Sequence, residues 1–256
     1  MNNQFIISAL ASFLITSTFA EQTADKERTR LLGPVQSISS ITTVADRESE
    51  RLVVHYNTQG NEVETLRYVA TGSLAEKSVH TDNTSSKRTE TMTYNPAGSL
   101  LTKTLYLYDF QGRLSERTTL DDVGLIERTT YLHQPEKNTI EETTTYARQS
   151  PPVRRTHFHD SEGRKTATLT FARDGSVSKT IPAYDDKGNE TDRTVYAGDG
   201  AVLDHLRYEY EFDDVGNWVK QTEFICLPTA EPEASVCTPA AIVSRTIAYI
   251  AQRETP

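Results

Sequence analysis

The chain has 256 residues, with 36 acidic against 27 basic side chains, a net charge of −9, 36% hydrophobic residues and a mean hydropathy of −0.55. Basic residues form no cluster beyond the pairs Lys87–Arg88, Arg154–Arg155 and Arg164–Lys165, which argues against a nucleic-acid partner and against attraction to an anionic membrane surface. So little apolar material cannot fill a thick two-sheet core, although the length suits one large domain or two small ones.

Residues 1–20, MNNQFIISALASFLITSTFA, are uncharged and apolar, with the small residues Thr18 and Ala20 before a cut site. They read as a secretory signal peptide and are too short for a convincing transmembrane helix. An exported product, periplasmic or secreted, is therefore expected, with no membrane span after cleavage. Residues 21–33 are polar and charged and are expected to form a flexible tail. Residues 34–256 then read as one β domain. Pro34 to Val44 is rich in β-branched residues and predicts a first strand, 46–50 a turn, and Arg51 the start of a repeat array.

The array is written in its turns. Nine tetrapeptides end in glycine: 57–60 NTQG, 95–98 NPAG, 109–112 DFQG, 121–124 DDVG, 160–163 DSEG, 172–175 ARDG, 185–188 DDKG, 197–200 AGDG and 213–216 DDVG. An Asp or Asn at the first position accepts backbone N–H bonds two residues on, and the fourth residue needs a positive φ that glycine adopts freely. Such a turn closes a hairpin with a bulge. An aromatic residue precedes most of them, as at Tyr56, Tyr94, Tyr108, Phe171, Tyr184, Tyr196 and Phe212. Most steps between turn glycines are about 12–14 residues, and the two long gaps hold turn-like residues at Gly72, Asp82–Ser86, Gln134–Asn138 and Gln149–Pro152. Regular short strands with turn signals predict an all-β fold, a long antiparallel hairpin meander of about 15 strands. Open sheets rarely exceed ~10 strands without curling, so the sheet is expected to be curled or spiralling, with Tyr, Phe, Leu and Val on its inner face. Barrel closure and an open spiral both remain compatible with the repeat.

YDDKGNETDRTVY, YDFQGRLSERTTL and FDDVGNWVKQTEF resemble YD repeats, the Y-D-x-x-G-[NR] units of bacterial RHS proteins and animal teneurins. The resemblance covers roughly residues 51–219. It implies hairpins laid side by side into a spiralling shell, with a binding or envelope role. The array lacks a DPxG autoproteolytic segment and a toxin region, and its repeats are too few for the closed cocoon of the larger members.

The ends of the array differ from its middle. Residues 218–250 read as a terminal hairpin, with Cys226 and Cys237 near the ends of its loop. In an exported chain an isolated pair predicts a disulfide, which would fasten the terminal edge. His157 and His159 share a strand face, and the acid pairs Asp121–Asp122, Asp185–Asp186 and Asp213–Asp214 recur at turns. Neither set supplies the convergent ligands a metal needs, so the acids are expected to cap turns and the imidazoles to lie at the surface. No nucleophile–base pairing, phosphate loop or metalloprotease motif occurs, so no catalytic, cofactor-binding or metal-binding residue is assigned and no cofactor is expected. Tyr106, Tyr108, Tyr208, Tyr210 and Trp218 cluster near turns; they are read either as the inner face of the sheet or as rows that stack on a ligand. The expected function is a non-enzymatic binding or scaffold module of the bacterial cell envelope, with an envelope protein or glycan as partner. A carbohydrate-binding module with exposed aromatic rows is the first alternative, and an envelope glycan hydrolase the second.

Overall fold

The computed structural model describes residues 31–147, 149–227 and 236–250, so the expected signal peptide lies outside the described residues. The first eight strands are β1 (Val35–Val44), β2 (Arg47–Tyr56), β3 (Glu62–Val69), β4 (Leu74–Asp82), β5 (Arg88–Tyr94), β6 (Leu100–Tyr108), β7 (Leu114–Leu120) and β8 (Leu125–Gln134). After a short 3-10 turn, Pro135–Lys137, come β9 (Thr139–Tyr146), β10 (Gln149–His159), β11 (Lys165–Phe171), β12 (Val177–Tyr184), β13 (Glu190–Ala197), β14 (Val202–Phe212), β15 (Trp218–Cys226) and β16 (Cys237–Tyr249). Each strand pairs antiparallel with its sequence neighbours, and β16 returns to β1 through nine residue pairs. The meander therefore ends as a closed 16-strand barrel, not as an open spiral.

The turns do what their residues dictate. Asn57 Oδ1 accepts N–H bonds from Gln59 at 2.9 Å and Asn61 at 3.0 Å, while the Gly60 N–H donates to the Asn57 carbonyl at 2.9 Å. Asp109, Asp160 and Asp213 repeat the pattern, so the acids at these turns are caps. Two degenerate turns keep their place without glycine, because Ser86 and Asn138 take φ values of 57° and 51°. Two expected turns move. The first becomes a tight turn at Ala45–Asp46, with φ of 48° and 59°, so the array begins at Arg47. Gln149–Pro152 is not a turn but the start of β10; Pro151 and Pro152 lack the ladder N–H, and the β9–β10 register shifts between Gln149 and Val153.

Alternation along each strand sorts the faces, and it corrects the expected lining. Tyr106 faces inward, so Leu105 and Leu107 face outward; following the register, Thr104, Arg117, Thr119, Glu127, Thr129 and Tyr131 also face the lumen. The inner face is thus mostly hydroxyl and charge, whereas leucines such as Leu107, Leu132 and Leu203 stand exposed outside. A barrel of this strand number is too wide for side chains to fill, so its interior stays open to water and polar residues suit it. Hydroxyls link neighbouring strands along the wall: Ser78 to Thr93 at 2.9 Å, Thr104 to Thr119 at 3.2 Å, and Thr129 to Thr144 at 3.0 Å.

The arc around β1, β2 and β16 is apolar inside. Leu31, Val35, Ile38 and Tyr56 form a buried cluster against Val54, Ile247 and Tyr249. Leu31–Gly33, expected in the tail, are fastened here: Leu31 is buried, and the Leu32 backbone exchanges two hydrogen bonds with Asn217. At the other end of β15, Cys226 pairs directly with Cys237 across the ladder and the two form a disulfide. The bridge locks a hairpin inside a closed wall, because β16 is paired on both sides and leaves no terminal edge to protect.

Candidate functional site

Strands β6–β11 bound a cavity of about 510 Å³ on the inner side of the wall. Every lining residue sits at an inward position of the register: Tyr106 on β6, Arg117 on β7, Glu127 and Tyr131 on β8, Glu142 and Tyr146 on β9, and Arg155 and His157 on β10, with Lys165 opening β11. The charges are arranged as forks between adjacent strands. Arg155 Nη1 donates to Glu142 Oε1 at 2.6 Å, and Arg117 Nη2 to Glu127 Oε1 at 3.2 Å. His157 lies between Glu142, at 3.5 Å from Nε2, and the Thr168 hydroxyl, at 3.0 Å from Nδ1. Three basic against two acidic lining side chains leave the site slightly positive.

Electrostatics at Glu142 follow from its neighbours. Burial alone would raise its carboxyl, but the His157 hydrogen bond and the Arg155 charge outweigh burial and bring its pKa down to about 2. Burial likewise pushes the Tyr131 phenol up to about 12, so its hydroxyl stays a neutral donor at physiological pH. A depressed carboxylate stabilises the folded state above its ordinary value of 4.5, and that contribution is lost as pH falls through about 2. Glu142→Gln is therefore expected to flatten the fall of the urea midpoint over this acid range. An acid limb as steep as that of the parent would contradict the assignment.

The five aromatics singled out in the sequence do not form one row. Tyr106 lines the cavity, whereas Tyr108 donates its hydroxyl to the Arg88 carbonyl at 2.8 Å. Tyr208 is buried on the other arc of the wall, and Tyr210 donates to the Glu190 carbonyl at 2.7 Å while its ring meets Trp218 edge-on at 5.9 Å. None of the five is exposed on the outer surface, which fits the inner-face reading of these rings and not the reading as free outer rows. His157 is not a surface imidazole but a buried member of the cavity wall. Among the described residues no group of three or more His, Cys, Asp or Glu is placed to hold a metal ion.

Arg117, Glu127, Tyr131, Glu142, Tyr146, Arg155 and Lys165 were not singled out from the sequence. They share no local motif. Their only signal is alternation on successive strands, and it becomes a site only once the register is known. An acid–imidazole pair outside the lumen, Asp192 with His205 at 2.8 Å, lies on the opposite face of its strands and adds nothing to the cavity.

No protein-family model matches this sequence, and no curated protein matches it. Among solved structures it is similar to a porin-like protein from Bacteroides uniformis ATCC 8492, at 13% identity and a TM-score of 0.42, covering 85% of this chain and 99% of that one. It is also similar to TcdB2-TccC3 without its hypervariable C-terminal region, at 10% identity and a TM-score of 0.29, covering 84% of this chain and 16% of that one. At these scores neither likeness carries an argument about what the protein does. The structure itself is that of a β-hairpin repeat protein.

Proposed function

We propose that this is an exported, non-catalytic barrel of the YD-repeat kind that binds a small polar ligand, of the carbohydrate class, inside its lumen as a module of the bacterial envelope. The cavity between β6 and β11 carries the proposal, because Tyr106 and Tyr131 line it with aromatic surface while Arg117, Arg155 and a wall of threonines offer hydrogen bonds. Sugars are recognised by that combination of stacking surface and polar edge. The leader at 1–20 and the aromatic D-x-x-G turns support export and the repeat assignment.

The outer wall supports life in water over life in lipid. Cross-strand ion pairs Glu64–Lys77, Glu90–Lys103 and Glu116–Arg128 lie on the face opposite the lumen. A Lys or Arg on a lipid-facing strand costs about 2–4 kcal/mol at the bilayer midplane, and an Asp or Glu less. Among the described residues, no helix is long and apolar enough to cross a membrane. Glycan hydrolysis is disfavoured by the cavity's own carboxylates. A general acid needs a raised pKa, yet Glu142 is depressed to about 2 and Glu127 is forked to Arg117.

Calorimetric titration of the mature protein with neutral and acidic mono- and oligosaccharides tests this. One of them is expected to bind, and Arg117→Ala is expected to weaken it about tenfold or more, about 1.4 kcal/mol. If no saccharide binds and crosslinking in the envelope fraction recovers one protein in near-equal amount, the lumen reading fails and a scaffold role replaces it.

A further inference from the structure

The arc of wall away from the Tyr131 cavity carries a cation with no counter-charge. Arg245 occupies an inward position of β16, opposite Ser40 of β1. Its guanidinium carbon lies 3.2 Å from the centre of the Trp218 ring, and Tyr210 packs against the edge of the same indole. Four other arginines of the inner face are paired with carboxylates: Arg67 with Glu76, Arg117 with Glu127, Arg155 with Glu142 and Arg193 with Glu190. Among the described residues Arg245 has no such carboxylate, and its buried Nε meets no hydrogen-bond acceptor. Burial holds the guanidinium below its ordinary range, to about 10, with Tyr56 and Tyr210 acting the other way, so it remains charged at neutral pH.

Asp213, at the turn before Trp218, is committed elsewhere. Asp213 accepts the Tyr249 hydroxyl and the N–H groups of Val215, Gly216 and Asn217. A buried charge left without a partner costs stability, so a fold that keeps one uses it or pairs it with something else. Guanidinium is planar and carries its N–H groups at its rim, the geometry that suits a carboxylate or phosphate.

We propose that Arg245, backed by Trp218, is an oxyanion site in the barrel lumen, taking the carboxylate or phosphate group of a small ligand. Trp218 is the chain's single tryptophan, so its emission reports on the site directly. Full-length mature protein is titrated with inorganic phosphate and, separately, with succinate, ionic strength being held constant with chloride. A saturable change in Trp218 emission and a rise in thermal midpoint are expected with at least one of them. Response to phosphate alone identifies a phosphate-bearing ligand, and response to succinate alone a carboxylate-bearing one.

Arg245→Met keeps a flexible apolar side chain beside the indole and removes the charge. It is expected to retain or raise the anion-free thermal midpoint and to abolish the response, while Arg245→Lys weakens the response about tenfold. Arg117→Ala is expected to leave the response intact, which separates this site from the saccharide cavity. Absence of saturation with either anion overturns the proposal. So does a response undiminished in Arg245→Met or, should that variant not fold, in Arg245→Lys.

Discussion

Replacing Asn217 by alanine is expected to lower the thermal midpoint by about 10 °C, taking ~3–5 kcal/mol of stability at roughly 2–4 °C per kcal/mol for a barrel of this size. Asn217 is only 3% exposed, and its side chain joins three segments far apart in sequence. Its Oδ1 accepts the Leu32 N–H at 2.7 Å, and its Nδ2 donates to the Leu32 carbonyl at 2.9 Å and to the Tyr249 hydroxyl at 2.8 Å. Truncation removes those bonds and strands their partners, which is the more expensive half of the loss. It also releases Leu31 from the apolar cluster. Asn189 is the control, since it holds the same turn position but its amide reaches only Asp185 Oδ2 at 2.9 Å. Asn189→Ala should cost about a third as much. Equal losses in the two variants, read by thermal melts, would show that the N-terminal fastening contributes nothing.

Ile38→Asp is expected to do more, unfolding the barrel or costing over 4 kcal/mol. Ile38 is 4% exposed, pairs with Ile247 on one side and Val54 on the other, and lies in the cluster that fills the closing arc. A carboxylate there would be buried without a partner on either side. One residue along, Ser39 points to the other face, so Ser39→Asp should change stability by no more than about 0.5 kcal/mol. That contrast depends on β1 being paired on both edges. In an open sheet the first strand would be an edge, and aspartate at either position would be tolerated far better. Urea denaturation of the two variants side by side decides it.

Much of this fold was legible because turn chemistry is local. Asn57, Asp109, Asp160 and Asp213 cap their own hairpins, and the glycines after them could be located with no knowledge of the rest. The turn before β2 was expected at 46–50 but forms at Ala45–Asp46, because Ala45 does not advertise the positive φ it adopts. Closure was invisible for a different reason. The pairing of Val35–Val44 with residues 241–249 is set by accumulated twist around the whole wall, and no short window of sequence encodes it. The lumen lining was misjudged by the assumption that aromatic and aliphatic residues share a face. In KTLYLYD they alternate, with Tyr106 inward and Leu105 and Leu107 outward, so the polar interior follows from the strand's own period once its direction is known. The cavity's Arg–Glu forks needed register as well as direction. Glu142 and Arg155 are thirteen residues apart in the chain and meet only because β9 and β10 pair in register.

Closure of β1 on β16 is the claim from which the lumen, its cavity and its buried cation all follow. The direct test places cysteines at Ser39 and Thr246, which face each other across that seam on the outer side. Opposed positions of an antiparallel pair have Cβ atoms about 4.5–5.5 Å apart, within reach of a short bis-thiol crosslinker. The Ser39→Cys, Thr246→Cys double variant, folded with its native Cys226–Cys237 bridge, is treated with the reagent, digested and mapped by mass spectrometry. A linked peptide joining positions 39 and 246 in nearly all molecules, at a rate independent of protein concentration, is the predicted result. Two free, singly modified thiols beside an intact native bridge would mean that the sheet is open, and the lumen with it would be gone.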